Sequence, residues 1–212
     1  MTMRKLILKM SISLDGFVAG PNGEINWIFP YMSKDGKSWL TAKLWAAGLH
    51  IMGSRTYRDM ASYWPYSDDQ LAPPMNEIPK VIFSRGGTLA SQAPRTTAAL
   101  KDAIHAIPVR DTVSPAALTG WTEARFATGD LATEVAALKK QEGKPIFAHG
   151  GAGFAQNLVS RGLIDEFILV VNPIALGQGL PLFSSMSKPL GMKLIDSIRF
   201  STGVLANTYL PP

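Results

Sequence analysis

The chain has 212 residues, 46% of them hydrophobic and 17% charged, with a formal net charge of +5; it can bury one sizeable core and is too apolar to be a disordered polymer. The longest unbroken apolar run, Phe167 to Val171, is far short of the roughly 20 residues that cross a bilayer, and the interruption by Lys9 and Asp15 speaks against a secretory signal. The absence of cysteine excludes disulfides, zinc–cysteine sites, iron–sulfur clusters and thiol nucleophiles, and a cytoplasmic setting is the expectation.

Leu6, Leu8, Met10, Ile12 and Leu14 alternate with Lys5, Lys9, Ser11 and Ser13, which predicts a strand over 4–14. Asp15-Gly16 and Gly20-Pro21-Asn22-Gly23 turn it into a glycine-rich loop that reaches Trp27. A helix is predicted over 38–47, a short strand over 49–52 and a second helix over 56–62. Lys80 to Phe83 is a strand closed by Ser84-Arg85-Gly86-Gly87. The stretch from about 86 to 122 is rich in Ala, Thr and Pro and carries one helical pattern, 97–106; it reads as an insertion.

Beyond it, Arg125 to Thr128 is a strand, and Asp130 is an N-cap for a helix over 131–141 with Leu131, Val135 and Leu138 on one face. Pro145 to His149 is a strand running into Gly150-Gly151-Ala152-Gly153, followed by a helix that ends near Gly162. Glu166 to Val171 is nearly uniformly apolar, as in a strand covered on both faces. The tail reads as two strands, 192–200 and 204–210, joined by Ser201-Thr202-Gly203. Alternating strands and helices predict an α/β sandwich over 1–212, with a mostly parallel sheet and an antiparallel hairpin at one edge.

Three strand-to-helix junctions carry glycines or hydroxyls: Gly53-Ser54-Arg55-Thr56, Ser84-Arg85-Gly86 and Gly150-Gly151-Ala152-Gly153. A helix N-terminus presents unpaired N–H groups and about half a positive charge, and glycine lets a phosphate reach the backbone. Arg55 and Arg85 add planar forks suited to phosphate oxygens. Any one junction is more often an ordinary turn; the three together suggest a dinucleotide, which binds at the carboxyl ends of parallel strands. The chain lacks the early G-x-G-x-x-G of a Rossmann unit, the serine elbow, the H-E-x-x-H pair and the P-loop. Its three histidines, His50, His105 and His149, are isolated, and no metal is expected. The basic residues are scattered, so no nucleic-acid partner is expected either.

The segment Ser13-Leu14-Asp15-Gly16-Phe17-Val18-Ala19-Gly20-Pro21-Asn22-Gly23, with Trp27 after it, resembles the opening of the dihydrofolate reductase-like family. Its nearest branch is the reductase domain of the bifunctional riboflavin-biosynthesis deaminase/reductase (RibD C-terminal domain). Gly53-Ser54-Arg55-Thr56-Tyr57, the strand ending in Ser84-Arg85, Gly129-Asp130-Leu131, His149-Gly150-Gly151-Ala152-Gly153, Leu163-Ile164-Asp165-Glu166 and Pro173 to Phe183 are similar to later motifs of that branch, in the same order. The segment between Ser84-Arg85 and Trp121 is longer than this branch shows, the insertion lying at about 86–120, and it could serve as a lid or a partner surface.

The resemblance implies a three-layer α/β/α reductase of the dihydrofolate reductase-like fold that uses NADPH and a small pterin-, pyrimidine- or carbonyl-type substrate. By position it implies that Val18 and Ala19 line the nicotinamide and that Gly53, Ser54, Arg55 and Thr56 hold the adenosine side and phosphates. Ser84 and Arg85 would take the 2′-phosphate, and Gly150, Gly151, Ala152, Gly153 and Phe154 the pyrophosphate. It also implies a homodimer. Asp15 is expected either in substrate binding and proton handling or as a turn residue, and Trp27 either against the substrate or in the core. Asp35, which would precede the helix predicted at 38–47, does not stand where a folate-protonating acid belongs. The alternative is a module that binds NADPH without turnover, as a redox sensor.

Overall fold

Alternation along the first apolar segment does build a strand: β1 runs Leu6–Ile12, with Leu6, Leu8, Met10 and Ile12 buried and the residues between them half-buried. In this computed structural model, residues 3–84, 97–107, 109–110, 112–113 and 115–212 are described. β1 is followed by β2 (Phe17–Ala19), a 3-10 turn (Asn26–Tyr31), α1 (Lys34–Trp45), β3 (Leu49–Gly53), α2 (Ser54–Ala61), a second 3-10 turn (Trp64–Tyr66), α3 (Ala72–Glu77) and β4 (Lys80–Phe83). Then come α4 (Ala98–Ala106), α5 (Pro115–Thr122), β5 (Arg125–Ala127), α6 (Leu131–Lys139), β6 (Ile146–His149), α7 (Ala152–Ser160) and β7 (Glu166–Val171). β8 (Leu180–Pro181), β9 (Lys193–Arg199) and β10 (Leu205–Leu210) close the chain.

Eight strands form one sheet in the order β5-β4-β3-β6-β1-β7-β10-β9. It is parallel from β5 to β7; β10 then pairs antiparallel with β7, and β9 with β10, as the closing hairpin requires. β6 lies between β1 and β3, which explains why all four of its residues are buried. β2 and β8 make a separate antiparallel ribbon, too short for any period to announce.

The two faces of the sheet carry separate cores. On one, Leu6, Leu8, Ile51, Ile146 and Phe167 pack with Val135 and Leu138 of α6 and with Ala155, Leu158 and Val159 of α7. On the other, Met52, Ile82, Phe147 and Ile168 pack with Leu44 of α1, Tyr57 of α2, Met75 of α3 and Trp121 of α5. Burying these side chains contributes about 1.5–3 kcal/mol each relative to exposure. Among the described residues, no helix is long and apolar enough to cross a membrane, and no group of His, Asp and Glu could hold a metal ion.

Three expectations need correction. The first helix begins at Lys34 rather than 38, because Ser33 caps it by accepting the Gly36 N–H at 3.2 Å. Asp35 therefore sits on the helix, in its first turn, and its carboxylate accepts from the Ser201 N–H and hydroxyl, both at 2.9 Å. Ser33 and Ser201 hold that carboxylate below its ordinary pKa, so it braces the closing hairpin. The 86–120 stretch holds two helices rather than one: α4 falls where the pattern placed it, and α5 delivers the fully buried Trp121 to the core.

Candidate functional site

Four neighbouring strands, β4, β3, β6 and β1, end side by side, and Ser84, Gly53 to Thr56, Gly150 to Phe154 and Asp15 lie at or just beyond their carboxyl ends, whereas Val18 and Ala19 lie on β2 and Trp27 on the 3-10 turn. Gly53 and Phe83 are paired at the ends of β3 and β4. Ser84 continues that edge, its N–H donating to the Ala127 carbonyl at 3.1 Å. Arg85 lies outside the described residues.

The junctions after β3 and β6 touch. The Gly151 N–H donates to the Thr56 hydroxyl at 2.9 Å, which ties the loop before α7 to the first turn of α2. Phe154, in the first turn of α7, stacks near Phe83 with ring centroids 5.3 Å apart, and its Cβ would lie 3.3 Å from a side chain added at Gly53. A Cβ at Gly150 would come within 2.7 Å of Met10 Sδ, and one at Gly151 within 2.9 Å of the Thr56 hydroxyl. Glycine at 151 lets the loop before α7 approach the first turn of α2 so closely.

Both helices start without a side-chain cap. α2 begins on Gly53 and α7 on Gly151, and neither accepts the first N–H groups of its helix through a side chain. Two positive dipole ends are thus brought together at the top of the sheet, with exposed Arg55 on the first turn of α2. Oxygen-rich anions with several charges match this arrangement.

The loop after β1 forms the other side. The Asp15 carboxylate accepts the Ser13 hydroxyl at 2.6 Å and the backbone N–H groups of Leu176 at 3.0 Å and Gly177 at 2.7 Å. The Ser13 hydroxyl above all, with the two N–H groups, pulls its pKa down to about 2. Asp15 is therefore an ionised carboxylate that ties the loop after β1 to the loop at 176–177. Val18 and Ala19 are buried on β2, and the Ala19 carbonyl lies so close to Gly179 that a side chain there would meet it at 2.3 Å. Trp27 is 7% exposed and its indole N–H donates to the Glu24 carbonyl at 3.3 Å, a packed core residue of the 3-10 turn.

Across the neighbouring strands the sheet carries a row of bases, of which His50, Lys80 and His149 are buried and Lys9 is half-buried. Register puts Lys9 beside His149 and His50 beside Lys80, and the two imidazoles meet edge to face with centroids 4.6 Å apart. Both nitrogens of His50 and Nε2 of His149 meet no hydrogen-bond partner among the described residues. Burial drives the bases toward their neutral forms: His149 down to about 3, Lys80 to about 7, Lys9 to about 8, and His50 well below its usual value. Lys80 is held by the carbonyls of Ile78 and Asn76 at 2.7 and 3.3 Å and by the Trp121 ring, whose centroid is 4.5 Å away. The sequence shows His50 and His149 only as isolated histidines, because this row exists only once the strand register is known.

The family model of the RibD C-terminal domain matches residues 4–206. The Bacillus subtilis protein YyaP is 28% identical over 206 residues, 97% of this chain and 94% of that one. Among solved structures, the diaminohydroxyphosphoribosylaminopyrimidine deaminase/5-amino-6-(5-phosphoribosylamino)uracil reductase of Thermotoga maritima superposes with a TM-score of 0.63 at 17% identity. That match covers 99% of this chain but only 57% of the Thermotoga one. Dihydrofolate reductase from Enterococcus faecalis, complexed with NADP(H), superposes with a TM-score of 0.57 at 10% identity, covering 98% and 96% of the two chains. The fold is dihydrofolate reductase-like.

Proposed function

The chain belongs to the RibD C-terminal domain family, and on that premise we propose that it is an NADPH-dependent reductase acting on a small pyrimidine-, pterin- or carbonyl-type substrate. The observation that carries this reading is the pair of uncapped helix starts, α2 and α7, joined through Thr56 and Gly151 at adjoining strand ends. They suit a coenzyme with a pyrophosphate and a further phosphate. The family relation and the fold shared with an NADP(H)-binding reductase support the same choice.

In this reading the N–H groups of Ala152 and Gly153, at the open start of α7, take the pyrophosphate, with Gly150, Gly151 and Phe154 shaping the cradle around it. Gly53, Ser54, Arg55 and Thr56 hold the adenosine side, and Ser84 and Arg85 the 2′-phosphate. Each charge-assisted bond of this kind contributes about 1.5–3 kcal/mol. Val18 and Ala19 fix the nicotinamide side through their backbone. When bound, the dihydronicotinamide supplies a hydride for a polarised C=N or C=O bond. The protein positions the two reactants and excludes water. Asp15 acts by holding the loop of β2 against Leu176 and Gly177. Strand β9, exposed along the sheet edge with Leu194 and Ile195 outermost, is the surface on which we place the homodimer contact.

The test is a titration with NADPH followed by a screen of oxidised pterins, flavin precursors, dicarbonyls and quinones at the NADPH absorbance. Binding with turnover supports the reductase. Binding without turnover across that panel supports the redox-sensing alternative, and no binding contradicts both.

A further inference from the structure

The loop that crosses the crevice is held at a second point, by the inserted segment. One oxygen of Asp102, on α4, accepts the backbone N–H groups of Ile25 at 2.7 Å and Asn26 at 3.0 Å. These are the first N–H groups of the 3-10 turn Asn26–Tyr31, whose own N-cap residue, Ile25, gives no side-chain cap. The carboxylate thus caps that turn from 76 and 77 residues away, as an aspartate caps its own helix elsewhere.

The helix is closed at its own start, where the Thr97 hydroxyl accepts the Leu100 N–H at 3.1 Å. α4 packs against both α2 and the 3-10 turn. The 3-10 turn leads directly into α1, and α1 and α2 lie on the same face of the sheet. The inserted helix therefore bridges α2 and the 3-10 turn that leads into α1.

We propose that α4 is the outer wall of the substrate side of the crevice, and that Asp102 is a positioning residue that keeps the Gly20–Tyr31 loop closed against it. The role in substrate binding rests on the reductase reading; the clamp itself does not. With the carboxylate removed, the Ile25 and Asn26 N–H groups lose their acceptor, and the loop is left to its local turn, made by the Gly20 N–H on the Glu24 carbonyl and the Glu24 carboxylate on Asn22.

Amide hydrogen exchange of the free protein reads this directly. In Asp102→Ala, exchange at Ile25 and Asn26 is expected to rise about tenfold or more; in Asp102→Asn, whose amide oxygen still accepts, the rise is smaller; in Lys101→Ala, on the same helix, there is none. Unchanged exchange at both amides in Asp102→Ala overturns the clamp. Should that variant lose protection throughout the chain, Asp102→Asn decides: faster exchange confined to residues 20–31 supports the clamp, and unaltered exchange there overturns it. NADPH affinity is expected to stay within twofold in both Asp102 variants. Once a substrate is known, its KM should rise about tenfold with kcat changing less; an unchanged KM overturns the wall assignment while leaving the clamp intact. Absence of NADPH binding in the wild type would instead defeat the reductase reading and leave the exchange result standing.

Discussion

Five helices of this protein begin in two contrasting ways. α1, α4 and α6 are closed by their own side chains: the Ser33 hydroxyl, the Thr97 hydroxyl, and the Asp130 carboxylate, which accepts the Ala132 and Thr133 N–H groups at 3.0 and 3.1 Å. α2 and α7 begin on glycine and keep their donors open. Both kinds occur along the same edge of the sheet: Asp130 follows β5, two strands from β3. Proximity to the strand ends is thus not what makes an anion site; a carboxylate at the helix start fills the position that a phosphate would take. The difference between Asp130 and Gly151 is one of residue type, and it can be reversed by mutation.

Reversal should have the largest effect. Gly153 lies in the first turn of α7 with open space around its Cβ position, so Gly153→Asp adds a carboxylate without a clash. NADPH affinity should fall at least about 30-fold, roughly 2 kcal/mol, with the thermal midpoint unchanged or raised. An unaltered dissociation constant would remove α7 from the coenzyme site.

The basic row across the sheet predicts the acid limit of the fold. His149 has a folded pKa of about 3 against an ordinary 6.5, through burial above all, so the unfolded chain binds more protons between those values. Stability therefore rises with pH across that window and is lost on acidification through it. Asp15, lowered to about 2 with Ser13 as the chief cause, adds a loss in the same direction at still lower pH. Denaturant melts of His149→Gln between pH 3 and 6.5 should show a shallower slope than the wild type; parallel curves would mean that the imidazole stays solvated.

Arg85→Ala should weaken NADPH about tenfold and leave NADH within twofold, because the fork is assigned to the 2′-phosphate that only NADPH carries. Equal losses would refute that assignment. Asp130→Ala should be the mildest change, costing about 1 kcal/mol of stability while NADPH affinity stays within twofold. A large affinity loss there would mean that the capped start also serves the ligand.

Much of the fold is legible because burial imposes a period. β1 alternates since only one of its faces is fully covered, and β6 and β7 do not alternate because helices cover both faces. The junctions after β3 and β6 are legible because glycine at a strand end marks close approach; the third, Ser84-Arg85-Gly86, lies outside the described residues beyond Ser84. What escapes depends on distant contacts or on few residues. α3 carries Pro73 and Pro74 at its start, which looks like a loop until its N-terminal position is known. The first turn of α1, Lys34 to Lys37, has no apolar residue to set a phase. Asp15, read at sequence level between two roles, is shown as a staple only by its bonds to Leu176 and Gly177. Asp102 resembles any exposed helical acid until Ile25 and Asn26 are folded against it.

The most direct measurement is isothermal titration of the unmodified protein with NADPH, with NADH in parallel. The account predicts a saturable single-site isotherm for NADPH and a weaker one for NADH. No heat with either nucleotide, at protein concentrations where the thermal melt shows a folded chain, would contradict it.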